Sequence, residues 1–283
     1  MRRFSLAFFI ATAVAALASA SPAAASVTIG QLAPGSPPGS SCSGTDTDFF
    51  QQTVTSGNTY VVPSTGGVTA WTLTSWSTNA SPGGGRYTMK VFRQVAGLTY
   101  MAVGHEGPHT LSVGILNTFP ANVAVRAGDI LGFFEGGGVS NACTFSASAG
   151  DSDLQKGGNL ADGESEDFIS NPGNRINISA LVTPVNTFTL DATTRNKKRG
   201  TATLTANAPN PGNLTVGGIG VKIAAGAVTT APGVVQLPIQ ASGKKKRKLN
   251  ESGKVKVTPQ ITFTPIGGDP NTQSKKLKLK KRV

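Results

Sequence analysis

The stretch RYTMKV, residues 86–91, sets Tyr87, Met89 and Val91 against Arg86, Thr88 and Lys90, with an apolar side chain at every second position. A period of two sends one row of side chains to a core and the other to the opposite face, which is the pattern of a β-strand and not of a helix. The same rhythm recurs in Leu111, Val113 and Ile115, and again where Ile176, Ile178 and Ala180 oppose Arg175, Asn177 and Ser179. The 35 glycines and 17 prolines of the chain punctuate these runs, at the spacing of about eight to twelve residues typical of antiparallel sheets joined by turns. No convincing helical period appears beyond the first 25 residues. The expected class is therefore all-β.

Charge divides the chain. Residues 27–183 carry six basic and eleven acidic side chains, whereas residues 184–283 carry eighteen and three. Two units with different partners are expected, joined near Pro184. Residues 26–183 hold ten or so short strands and are read as a jelly-roll-like sandwich, long enough for a core of their own. Residues 184–283 offer strands at 187–191, 201–206, 213–216, 221–223, 233–240, 254–264 and 275–281, and are read as an immunoglobulin-like sandwich without its disulfide.

Residues 1–25 read as a signal peptide. Arg2 and Arg3 precede an apolar run from Phe4 to Leu17, and small residues place the cut after Ala20 or after Ala25. The run is too short to span a bilayer core of roughly 30 Å. With no later transmembrane segment, the mature chain is expected to be secreted or at the cell surface. In such an oxidising compartment Cys42 and Cys143 are expected to pair. Closing a loop of that length adds about 4.7 kcal/mol in the chain-entropy model, less any strain.

Candidate chemistry is sparse. His105, Glu106 and His109 in GHEGPH, residues 104–109, match the HExxH pattern of zinc peptidases. That chemistry needs a helix to bring both imidazoles to one metal. Here Gly107 and Pro108 intervene between alternating flanks, so the reading is a hairpin turn, with no metal. The carboxylates Asp151, Asp153, Asp162, Glu164, Glu166 and Asp167 lie among glycines in a stretch that fails the calcium-loop spacing, and it is read as a solvated acidic loop. In TAWTLTSWST, residues 69–78, unbroken alternation puts Trp71 and Trp76 on opposite faces. That leaves Trp76, with Tyr100, as a candidate platform for stacking on a sugar; burial of Trp76 after a bulge is the alternative. No catalytic residue, metal or cofactor is assigned.

The basic half presents Lys244, Lys245, Lys246, Arg247 and Lys248 in one run. Lys254 and Lys256 alternate with Val255 and Val257, and Lys276, Lys278 and Lys280 alternate with Leu277 and Leu279. Outward, strand-borne lysines of this kind suit anionic cell-wall polymers or glycans, or serve to keep edge strands from pairing. The two aromatics of this half, Phe188 and Phe263, alternate inward, so specific nucleic-acid stacking is not expected.

Four strings, GHEGPHTLS at 104–112, LNTFPANVAVRAGDILG at 116–132, NRINISALVTP at 174–184 and PNTQSKKLKLKK at 270–281, resemble a group of secreted two-domain proteins of soil actinobacteria that has no assigned chemistry. VRAGDILG is similar to turns of jelly-roll and carbohydrate-binding sandwiches. The resemblance implies a fold and a compartment, and no catalytic residue. The function expected is that of a non-enzymatic, exported binding or structural protein at or near the envelope, its basic domain touching anionic polymers. The alternatives are carbohydrate binding by the N-terminal sandwich and a secreted hydrolase.

Overall fold

The computed structural model describes residues 26–34, 46–79, 86–112, 114–136, 143–146, 148–222, 227–229 and 231–282. The proposed signal peptide and Cys42 lie outside these residues. Over residues 26–184 the strands are β1 Val27–Gln31, β2 Thr47–Thr53, β3 Ala70–Asn79, β4 Arg86–Ala96, β5 Thr99–Thr110, β6 Leu116–Arg126 and β7 Ile130–Gly136. They continue with β8 Thr144–Ser146, β9 Ser152–Gly157, β10 Ser165–Asp167, β11 Ile169–Pro172, β12 Asn174–Ile176 and β13 Ile178–Pro184. A four-stranded sheet, β1-β13-β3-β6, packs on a seven-stranded one, β10-β5-β4-β7-β2-β9-β11. One hydrophobic cluster, from Ile29 to Val182, fills this unit.

The alternation in β4 decides what each face does. On the inner face Tyr87 stacks on Phe133 at 4.8 Å, and Phe133 on Phe49 at 5.3 Å. On the outer face Phe92 stacks on Phe50 at 4.8 Å, and Tyr100 and Phe168 complete a second aromatic layer. The seven-stranded sheet is thus buried on both sides over much of its area, which is why β4 is buried without a break from Tyr87 to Phe92. Gly132 makes the layering possible: a side chain there would lie 2.1 Å from the Phe49 carbonyl and 2.8 Å from the Phe92 ring.

The second unit contains β14 Thr189–Asn196, β15 Thr201–Ala208, β16 Gly212–Gly217, β17 Ala227–Thr229, β18 Gly233–Ile239, α1 Gly243–Ser252, β19 Lys254–Val257, β20 Gln260–Pro265, β21 Asn271–Ser274 and β22 Leu277–Lys280. Three sheets, β14-β15-β18, β17-β16-β20-β21 and β19-β22, surround a separate cluster from Phe188 to Leu279. Phe188 and Phe263 are buried there edge to face.

Four expectations need correction. The run 254–264 is not one strand: Pro259 lacks the N–H a ladder needs, and the chain breaks into β19 and β20 in different sheets. The lysine run is helical, since α1 spans Gly243–Ser252 with Leu249 as its one buried residue. Such a helix has no apolar period to read, and it is held by Leu249 and by Gly253 at φ 64° just past its end. Gly107-Pro108 is a cis bond inside β5 and not a hairpin turn. Among the described residues, backbone pairing on its β10 side reaches only to Ala102, and the strand bulges against β4, so a residue without an N–H is tolerated. Leu111, Ser112, Gly114 and Ile115 lie outside any strand, Ile115 is exposed, and Val113 falls outside the described residues.

The units meet through a buried asparagine. Asn210 Oδ1 accepts from the N–H groups of Thr69 and Ala70, while Nδ2 donates to the carbonyls of Ala70 and Val185. The amide behaves as a strand partner at the start of β3.

Candidate functional site

The HExxH residues are distributed by strand geometry. His105 lies opposite Lys90 and Glu106 opposite Met89, so the two neighbours point to different faces of the sheet. On the outer face His105 Nδ1 is 2.8 Å from Asp162. On the inner face Glu106 accepts from the Trp76 indole at 2.6 Å and lies 2.7 Å from His109 Nε2. The His109 ring stacks on Phe119 at 4.0 Å, linking the β5 edge of one sheet to the β6 edge of the other. Both Glu106 oxygens are occupied and the imidazoles sit on opposite faces, so this segment is a latch across the sandwich. Among the described residues no group of three His, Cys, Asp or Glu converges.

Trp76 is fully buried and Tyr100 is 3 % exposed, which corrects the expectation of a stacking platform. A register shift between Leu73 and Ser75 against β6 inserts one residue, and Trp71, Leu73 and Trp76 all turn inward. Tyr100 belongs to the outer aromatic layer, 4.5 Å from Phe50. Cys143 is buried beside the Tyr87 hydroxyl.

The acidic stretch is not a solvated loop throughout; its carboxylates are spent individually. Asp151 is buried against Arg175 at 2.6 Å and accepts from the Thr55 N–H and hydroxyl. Burial alone would raise its pKa, but these hydrogen bonds outweigh it and hold the carboxyl below its usual value. Asp153 is also buried, with Gln155 donating at 2.7 Å to one oxygen; burial pushes this carboxyl up. Asp167 meets the Thr99 hydroxyl, and Glu164 accepts from the Ala161 N–H.

Sequence reasoning missed the pair on the outer face. Lys90, 2 % exposed, lies 2.8 Å from Asp48, and the two grip the backbone of one residue. Lys90 donates to the Leu160 carbonyl at 2.6 Å, and the Leu160 N–H donates to Asp48 at 2.8 Å. Burial drives Asp48 up and Lys90 down, each opposed by its partner's charge. The pair pins the segment after β9 across the sheet, and beside it opens a cleft of about 520 Å³. Alternation puts Lys90 on the face opposite Tyr87, Met89 and Val91, and nothing local signals the segment that covers it.

The basic residues of the second unit do face outward. Lys254 pairs with Lys280 and Lys256 with Lys278 across the β19-β22 ribbon, all four exposed above Val255, Val257, Leu277 and Leu279. Lys197, Lys254, Lys278, Lys280, Lys281 and Arg282 line one shallow depression. Lys197 and Arg282 also line a second, with Arg195 and Lys198. Helix α1 adjoins this surface, and Lys281 Nζ donates to its Asn250. Lys244, Lys246, Arg247 and Lys248 are exposed, Lys245 partly so, and Lys276 is exposed just before β22. Among the described residues all five ion pairs belong to the first unit.

No protein-family model matches the chain, and no curated protein matches it. No described helix is long and apolar enough to cross a membrane.

Proposed function

We propose that this is an exported, non-enzymatic binding protein whose basic second unit holds it against anionic polymers of the cell envelope. The observation that carries this reading is the uncompensated cationic surface centred on Lys254, Lys256, Lys278 and Lys280. Like charges directly opposite on adjacent strands destabilise a sheet. Lysines in the first turn of α1, where no acidic residue stands, also oppose the positive end of the helix dipole. A surface that costs the fold stability in two places is accounted for by a negative partner. Its contacts are ammonium groups without aromatics, which suits a polyanion bound by charge and not by sequence or shape.

The wider reading follows from this one. The chain enters the export route by its first 25 residues, Cys143 pairs with Cys42, and the units are a jelly-roll-like and an immunoglobulin-like sandwich, as in the secreted actinobacterial proteins it resembles. Two facing sheets in the first unit and three small sheets around one core in the second support the fold assignments.

The test is co-sedimentation of the mature chain with purified cell walls. Retention is expected to fall steeply as salt rises and the Debye length shrinks from about 10 Å at 0.1 M to about 3 Å at 1 M. Replacing Lys254, Lys256, Lys278 and Lys280 together by Gln is expected to abolish retention at low salt. Retention indifferent to salt or to that replacement removes the reading.

A further inference from the structure

The cleft on the outer face of the first unit has a different chemistry from the cationic surface and stands independently of it. Its volume of about 520 Å³ falls within the range of roughly 300–1,000 Å³ common to small-molecule sites. Lys90 lines the cleft with its charge offset by the buried Asp48, and the His105–Asp162 pair lines it as well. Between them lie the Arg86 guanidinium, the Asp46 carboxylate, the Thr88 hydroxyl and the Asn159 amide, none with a hydrogen-bond partner among the described residues. Phe134, half-buried, supplies an apolar wall, its ring lying across Gly136 and its centroid 5.4 Å from Lys90 Nζ. Asp46 is the one described non-glycine residue with a positive φ, 56°, and its carbonyl is held by the Gly158 N–H at 2.6 Å. The carboxylate is thus set on a fixed backbone.

The balance of charges gives the cleft no preference for a simple ion. What it offers is unpaired donors and acceptors beside one aromatic face. A sugar matches this, because its hydroxyls both donate and accept while its C–H face is apolar. The geometry points to a carbohydrate-binding cleft at this position, taking a neutral sugar ring against Phe134 with its hydroxyls between Arg86, Asp46 and Asn159. These residues differ from Trp76 and Tyr100, and the site lies on the opposite side of the seven-stranded sheet from Trp76.

The mature chain, probed with an array of neutral gluco-, xylo-, manno- and chito-oligosaccharides, tests this. Salt of about 0.5 M screens the cationic unit to within a few ångströms. Binding to at least one class is expected. Arg86→Ala and Asn159→Ala, both at exposed positions, are each expected to weaken it about tenfold, the scale of a lost hydrogen bond to a charged or well-placed polar group, with an unchanged melting temperature. If Arg86→Ala perturbs the strand end, Asp46→Asn replaces it, since Asn tolerates a positive φ. The Lys254/Lys256/Lys278/Lys280→Gln protein is expected to bind sugar as before. Silence across the array, affinity that survives these cleft substitutions, or loss of sugar binding in the lysine variant would each overturn the assignment. Failure of wall retention alone leaves it standing.

Discussion

The two units spend their charged side chains in opposite ways. In the first, Lys90, Arg93 and Arg175 each reach a carboxylate within 3 Å, and Asp48, Asp129 and Asp151 are buried to receive them. In the second, lysine faces lysine across β19-β22, and the described residues hold no ion pair. A buried charge needs a partner and becomes part of the architecture, whereas an exposed one in water does not and remains free for something outside. Lys90 and Lys256 both alternate with apolar neighbours on a strand. What separates their roles is whether a second layer covers the outer face.

The sharpest way to break this contrast is to remove one half of the buried pair. Asp48→Ala leaves Lys90 uncompensated under the Leu160 peptide and is expected to cost about 3–5 kcal/mol in urea unfolding. The double change Asp48→Leu with Lys90→Met is expected to recover much of that loss. If it does not, gripping the Leu160 backbone, and not the stranded charge, is the larger part of the pair's role.

Next in size is the pH dependence of the buried carboxylates, which have opposite signs. Asp151 is held below 3.8, so the unfolded chain binds more protons in that window. Its contribution is present above the unfolded pKa and is lost as pH falls through the folded value. Asp153 is raised above 3.8, so the native state binds the extra proton and stability falls as pH rises between 3.8 and the folded value. Stability measured against pH should lose its acid-side gain in Asp151→Asn and its opposing slope in Asp153→Asn. Matching slopes in the two variants would contradict the assignments.

The smallest effect sharpens the contrast from the other side. Lys254→Glu with Lys256→Glu turns two like-charge pairs into opposite ones and is expected to stabilise the protein by about 0.4–2 kcal/mol. Wall retention should fall in the same variant. Higher stability with unchanged retention would show that the cationic surface serves the fold's solubility and not a partner.

Much of the β architecture was legible because alternation is a local property of strands, as in Tyr87, Met89 and Val91 or Val255 and Val257. The helix was not, since GKKKRKLNES has one apolar residue and no acidic residue in its first turn. Its formation rests on Leu249 finding the core and on Gly253 ending it. The cleft was equally hidden: Arg86, Phe134 and Asn159 lie on separate elements, the first two set side by side by β4-β7 pairing and the third added by the segment that Lys90 and Asp48 pin.

Sequence alone determined the all-β class, the division of charge and the outward stance of the lysines around residues 254–280, because period-two patterning and composition act over a few residues. Tertiary structure decided the rest. One inserted residue after Leu73 turned Trp76 into the core, and a covering segment turned Lys90 from a surface cation into a buried one. Each outcome depends on register or on a layer contributed by residues distant in the chain, and neither leaves a trace in the residues it acts upon.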